Sequence, residues 1–193
     1  MSLLNSVLQR TSSIKSLFVL FIVSHLVLLA MLVFTFPVIN NQIETKAFDL
    51  QTFGYSMATA ESIVNNLDEQ TTGLYLFPQL TLLDLFYPFL LALFLGSLLF
   101  RLFKISDVKN KVASIVLVIP FLAMLFDYLE NICIILLITR SVEVSETIVL
   151  LASTFTVLKG VLTSIAWVTI VVYAINWLML KIKKKSVTQP KKI

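Results

Sequence analysis

The chain has 193 residues, 58% of them hydrophobic and 13% charged, with a mean hydropathy of +0.94 and a formal net charge of +4. Soluble domains carry about 25% charged residues, so this composition excludes an ordinary water-soluble fold and places the chain in a lipid bilayer. The positive balance does not point to a nucleic-acid partner, because the lysines gather at the ends of apolar segments without interleaved aromatic residues.

Crossing a hydrocarbon layer about 30 Å thick takes about 20 helical residues. The first stretch that qualifies spans residues 17–39, after a short start holding Arg10 and Lys15. Its apolar core, from Leu17 to Ile39, is too long for a signal peptide, and no small-residue cleavage site follows it, so it reads as a retained anchor. Residues 40–78 form the outer loop, the one sizeable soluble connection. Within it Met57, Ala60, Ile63, Val64 and Leu67 recur at helical spacing, with Ser56 placed to cap the start and Gly73 soon after the end. This predicts a short amphipathic helix, either covering the mouth of the bundle or resting on the interface, preceded by a turn at Gly54.

Further spans are expected at 79–103, 112–139 and 147–180, leaving residues 1–180 as one transmembrane domain and 181–193 as a basic tail. The connections between the last three are short, which favours an up-down-up-down, antiparallel four-helix bundle, an all-α polytopic fold. Ala92 with Gly96, and Gly160 with Ser164, are small pairs four apart that would let helices approach closely. Tyr173 and Trp177 read as interface anchors. Cys133 is the single cysteine, so neither an internal disulfide nor a Cys-x-x-Cys pair can form, which argues against the small quinone-linked thiol oxidoreductases.

Charge sets the expected orientation. Arg10 and Lys15 precede the first span, Arg101, Lys104, Lys109 and Lys111 lie between the second and third, and six lysines follow the fourth. The other two connections hold Lys46 and Arg140 against seven acidic residues: Glu44, Asp49, Glu61, Asp68, Glu69, Glu143 and Glu146. By the positive-inside rule both termini face the cytoplasm, as expected for a multi-pass protein of the inner membrane. The basic tail reads as a stop-transfer cluster rather than a specific lipid-binding element.

Asp127, Glu130 and Asn131 interrupt the third span on one helix face, and Lys159 interrupts the fourth. An ionised side chain at the bilayer centre costs about 2.5–3.5 kcal/mol on insertion scales, so these groups should turn inward. Lys159, about 18 Å below the outer end of its span, matches Asp127 in depth and is expected to pair with it. Asp84 enters from about 8 Å down the second span, shallow enough to reach water, with Tyr87 and Pro88 on the same face. Three carboxylates against one ammonium call for a shared proton, through Tyr87, Tyr128 or Asn131, or for a cation or cationic ligand group. The strings Asp84-x-x-Tyr87-Pro88 and Asp127-x-x-Glu130-Asn131 echo each other, which has meaning only where the two faces meet.

The lone His25 is expected to bond a neighbouring helix, and no His or Cys cluster suggests a metal. No nucleophile elbow, His-Glu-x-x-His helix or phosphate-cradling glycine loop is present, and no cofactor is expected. Phe48-Asp49, Gly54-Tyr55-Ser56, Asp84-x-x-Tyr87-Pro88, Phe126-Asp127-Tyr128-Leu129-Glu130-Asn131 and Leu158-Lys159 resemble a family of small bacterial four-helix membrane proteins. The likeness spans about residues 48–160 and implies that these positions form one unit, with no activity attached. In architecture, with Ser24-His25 and the lysine-rich tail, the chain also resembles the sterol isomerase and sigma-2 receptor group, whose helices place acidic residues in a lipid-accessible pocket.

Three readings of the polar cluster stay open. It is an ion-pair staple, a site for a proton, cation or amphiphilic ligand in a binding or accessory protein, or an intramembrane lipid-modifying enzyme. The second is the preferred functional reading, with Asp84, Tyr87, Asp127, Glu130, Asn131 and Lys159 as its residues, and the lipid bilayer as the expected partner. The third would use Asp127 or Glu130 for acid–base chemistry, with Lys159 stabilising developing negative charge.

Overall fold

The computed structural model describes residues 2–108 and 110–187, and among them every regular element is helical. The expected Lys109, Lys191 and Lys192 contributions to the charge pattern lie outside the described residues, as does the tail beyond 187. In chain order the helices are α1 (Ser2–Thr11), α2 (Ile14–Ile43), α3 (Met57–Asn66), α4 (Glu69–Ile105), α5 (Lys111–Ile138) and α6 (Glu146–Val187). Four of these, α2, α4, α5 and residues Glu146–Met179 of α6, are long and apolar enough to cross a membrane.

Helix α1 was not expected, although Leu4 and Leu8 share a helical face. Leu8 is fully buried against α4, Thr11 meets Ser97 at 2.5 Å, and Arg101 donates to the Ser12 carbonyl at 3.0 Å. Ser13 then caps α2 by accepting from the Ser16 amide at 3.1 Å, which starts that helix three residues before the expected span.

Prolines account for the irregular turns. Pro37 lacks an amide hydrogen for the regular ladder, and residues Met31–Thr35 before it form a π turn. Phe77, ahead of Pro78, is pushed into an extended conformation (φ −139°, ψ 125°), which kinks α4. Pro120 follows a turn at Leu117 and Val118 that offsets the two parts of α5. Because α4 starts at Glu69, ten residues before the expected span, with Asp68 as its cap, Gly73 lies inside its first turns and ends nothing.

Helix α4 is central: α1, α2, α5 and α6 all pack on it, and α5 packs along α6. Gly96 permits a close approach of α5, since a Cβ there would lie 2.9 Å from the Phe121 ring, whereas Gly160 faces no neighbouring helix. At one end α4 and α6 cross, through Phe94 on Trp167 (6.1 Å) and Phe103 edge-on to Tyr173 (4.8 Å). Tyr173 is thus a packing residue, while Trp177 lies under the Lys181 ammonium at 5.0 Å. Residues 181–187, expected as free tail, continue α6.

Two apolar cores result. One, around Leu8, Leu95, Leu99 and Ala166, lies at the α4–α6 crossing. The other, around Ile39, Ile43, Phe48, Ile63, Tyr75, Ile134 and Leu137, lies where those helices diverge. Helix α3 sinks Ala60, Ile63 and Val64 into the second core and so covers that end of the molecule. Between the cores runs a layer of buried polar side chains: Ser24, Thr35, Gln79, Asp84, Asp127, Glu130, Asn131 and Thr156.

Candidate functional site: a buried acidic cavity

Lys159 is the hinge of the polar layer. Its ammonium ion-pairs with Asp127 and lies 2.6 Å from Glu130 Oε2, one helical turn further along α5. Glu130 is fully buried, and its other oxygen accepts from the Thr156 hydroxyl at 2.7 Å. The Lys159 side chain keeps about one-fifth of its surface open, 19%. Two carboxylates therefore hold one lysine in place, and a hydroxyl steadies one of the carboxylates, the arrangement a buried charge requires.

Asp84 departs from expectation. Counting from Glu69 it lies about 22 Å along α4, not near its mouth. Only 3% of its surface is exposed, and no donor reaches its Oδ2. Asn131 spans the gap between α5 and α4, donating from Nδ2 to the Asp84 carbonyl at 3.4 Å, and the Tyr128 hydroxyl donates to the Leu85 carbonyl at 2.8 Å. The faces carrying the two echoing strings do meet. Tyr128 is thereby committed to backbone.

Asp49 is the residue that sequence reasoning left out of the site. It sits on a 3-10 turn, Phe48–Leu50, in the connection after α2. Its Oδ2 accepts from the Tyr75 hydroxyl at 2.5 Å, and that hydroxyl in turn accepts from the Phe48 amide at 3.0 Å, so that the Asp49 carboxyl lines the same cavity as Asp84. The Phe48-Asp49 string signalled this position, but a loop acid 35 residues before Asp84 gives no sequence clue that the loop folds inward. Carboxyls that share one cavity disfavour joint ionisation.

These groups line one cavity of about 290 Å³. Asp49, Asp84, Asp127, Lys159 and Tyr87 form its polar wall, and Leu28, Met31, Leu91, Leu95 and Met124 contribute to its apolar remainder. Glu130 and Asn131 stand behind the wall and support it. With Glu130 included, full ionisation of the four carboxyls would leave three negative charges beyond the single ammonium. Among the described residues no group of three or more His, Cys, Asp or Glu is arranged to hold a metal ion.

Next to the site, the Tyr55 amide donates to Ser153 Oγ at 2.9 Å. Burial, with Glu130 nearby, pushes the Tyr55 phenol well above its usual range, so it stays protonated. His25 contradicts its expectation: Nδ1 lies 2.8 Å from the Phe21 carbonyl of its own helix, and its ring meets the Phe94 ring of α4 edge-on at 6.4 Å. Thr35 and Gln79 form a further buried hydrogen bond, between α2 and α4, that no motif announced.

Searches against protein-family models, curated proteins and solved structures return no match to this chain.

Proposed function

We propose that the chain is a polytopic protein of the inner membrane, an antiparallel four-helix bundle with both termini in the cytoplasm and α3 on the outer face, and that it binds an amphiphilic ligand or cation in the acidic cavity. One observation carries this reading: a largely apolar cavity of about 290 Å³ whose charged groups are Asp49, Asp84, Asp127 and one lysine, with Tyr87, Thr52, Thr163 and Ser164 as its neutral polar side chains. A staple alone would close on itself, as the Asp127, Glu130 and Lys159 group does. Asp84 Oδ2, buried and without a donor, is acceptor capacity left over. Small-molecule sites have this form, concave and apolar with a few polar groups that fix orientation. The meeting of Asp49, Asp84, Asp127 and Lys159 supports reading the strings of the bacterial four-helix family as one unit. Catalysis by Asp127 or Glu130 draws less support, because both carboxylates are committed to Lys159.

Native mass spectrometry of protein released from its own membrane tests the reading. A bound lipid-sized or cationic adduct is expected, and it should be lost in Asp84→Asn with thermal stability retained. If the wild type carries no adduct under any release condition and Asp84→Asn is merely more stable, the cluster is structural.

A further inference from the structure

The cavity is not ringed evenly. Among the described residues α2 makes at most marginal contact with α6, although Leu28 and Met31 of α2 and Gly160, Thr163 and Ser164 of α6 all line it. The space between these two helices is occupied by chain from the loop after α2. Gly54 (φ +86°) lies so close to α6 that a Cβ would meet Ser153 Oγ at 2.5 Å, and the Thr52 carbonyl lies 3.9 Å from the Cβ position of Gly160. Gly160 is about 21 Å along α6 from Glu146, so this loop dips deep beside the helix.

Irregular backbone survives at membrane depth only where its polar groups are satisfied within the protein or by a cavity. Six of the loop's amides have such partners: Ala47 donates to Asn40 Oδ1, Phe48 to Tyr75, Leu50 to the Ala47 carbonyl, Gln51 to the Phe48 carbonyl, Gly54 to the Gln51 carbonyl and Tyr55 to Ser153. At the tip Phe53 is 96% exposed, as suits a side chain facing hydrocarbon. Asp49, Leu50 and Thr52 of the same loop form part of the cavity wall.

We propose that residues 47–55 are a re-entrant strap across a lateral portal between α2 and α6, and that a single-chain amphiphile with a hydrogen-bond-donating, non-anionic head reaches Asp49 and Asp84 through it from the lipid layer. This deepens the binding reading above and rests on it. The head chemistry follows from what the site has left to offer. Lys159, the cation of the wall, is already held by two carboxylates, while Asp84 Oδ2 and Asp49 Oδ1 are buried acceptors without donors. An amine or hydroxyl satisfies them, whereas a carboxylate or phosphate adds like charge.

The experiment uses the full chain in lipid nanodiscs, with dodecylamine, dodecanol and dodecanoate as probes and displacement of the thermal midpoint as the readout. Dodecylamine or dodecanol should stabilise the wild type, dodecanoate should not, and Asp84→Asn should weaken the effect at least tenfold in apparent affinity. Ser164→Trp, which fills the portal from an exposed position on α6, should also weaken it at least tenfold, while Leu122→Trp on the outer face of α5 should not. Leu28→Trp repeats the test from α2 should Ser164→Trp fold poorly. Unchanged binding in the portal variants overturns lateral access but leaves the cavity as a site. Equal binding of dodecanoate overturns the head assignment, and no response to any of the three probes overturns the binding reading itself.

Discussion

Lys159 shows how one residue can hold a buried polar site together. Its ammonium answers both Asp127 and Glu130, so removing it strands two acids rather than one. Lys159→Met is expected to cost about 3–5 kcal/mol of stability, read as the unfolding midpoint in detergent. Asp127→Asn added to it should restore only part, because Glu130 stays uncompensated, and the further change Glu130→Gln should restore most of the rest. The pairing of Lys159 with Asp127 was legible in the sequence, since helical rise puts them at one depth within apolar stretches. The share taken by Glu130 was not, because it depends on how α5 is rotated against α6. Gly54 makes a second case. Its positive φ and the contact with Ser153 both exclude a side chain, and Gly54→Ala should cost about 1–3 kcal/mol, with Ser153→Ala removing the Tyr55 amide's acceptor at a smaller cost.

Among the elements, helix α3 was legible in kind. Met57, Ala60, Ile63 and Val64 make an apolar stripe, and Ser56 caps it by accepting from the Thr59 amide at 3.2 Å. Ser56→Ala should loosen α3 by about 1 kcal/mol, seen as faster hydrogen exchange of its amides with little change elsewhere. Whether the stripe would face outward or inward was open, and Ile63 and Val64 join Ile134 and Leu137 in one buried cluster. The start of α4 was misjudged because Pro78 looks like a helix boundary, while the true cap, Asp68, stands ten residues earlier. Hydrogen bonds from Thr71 hold the Asp68 carboxyl below its ordinary pKa of 3.8. A carboxylate lowered in the folded state stabilises it fully above that value and loses the contribution as the pH falls further. Exchange of the Thr71 amide should therefore speed up as pH drops below about 4, once corrected for intrinsic rates, and Asp68→Ala should abolish that dependence. Helix α1 was missed outright, since ten residues with four large apolar side chains read as a flank until α4 supplies the surface for Leu8.

For the molecule as a whole, the proposed orientation can be measured directly. In a Cys133→Ala background, Gln9→Cys on α1 and Glu143→Cys between α5 and α6 are both exposed positions. An impermeant maleimide added to intact cells should label Glu143→Cys, and Gln9→Cys should react only after the membrane is opened. Labelling of both from outside would contradict the charge-based topology. By itself the sequence determined the number of apolar spans, the charge asymmetry between their connections and the identity of three of the four charged groups on the cavity wall. Those follow from composition and from helical rise, which are local quantities set by transfer free energy and backbone geometry. Only the tertiary structure decided that α2 and α6 stand apart, that the chain after α2 turns back between them, and that Asp49 arrives beside Asp84. These depend on the crossing of α4 with α6 at Phe94 and Trp167 and on a turn that needs Gly54 against Ser153. Contacts between residues roughly a hundred positions apart leave no periodic trace in the chain that makes them.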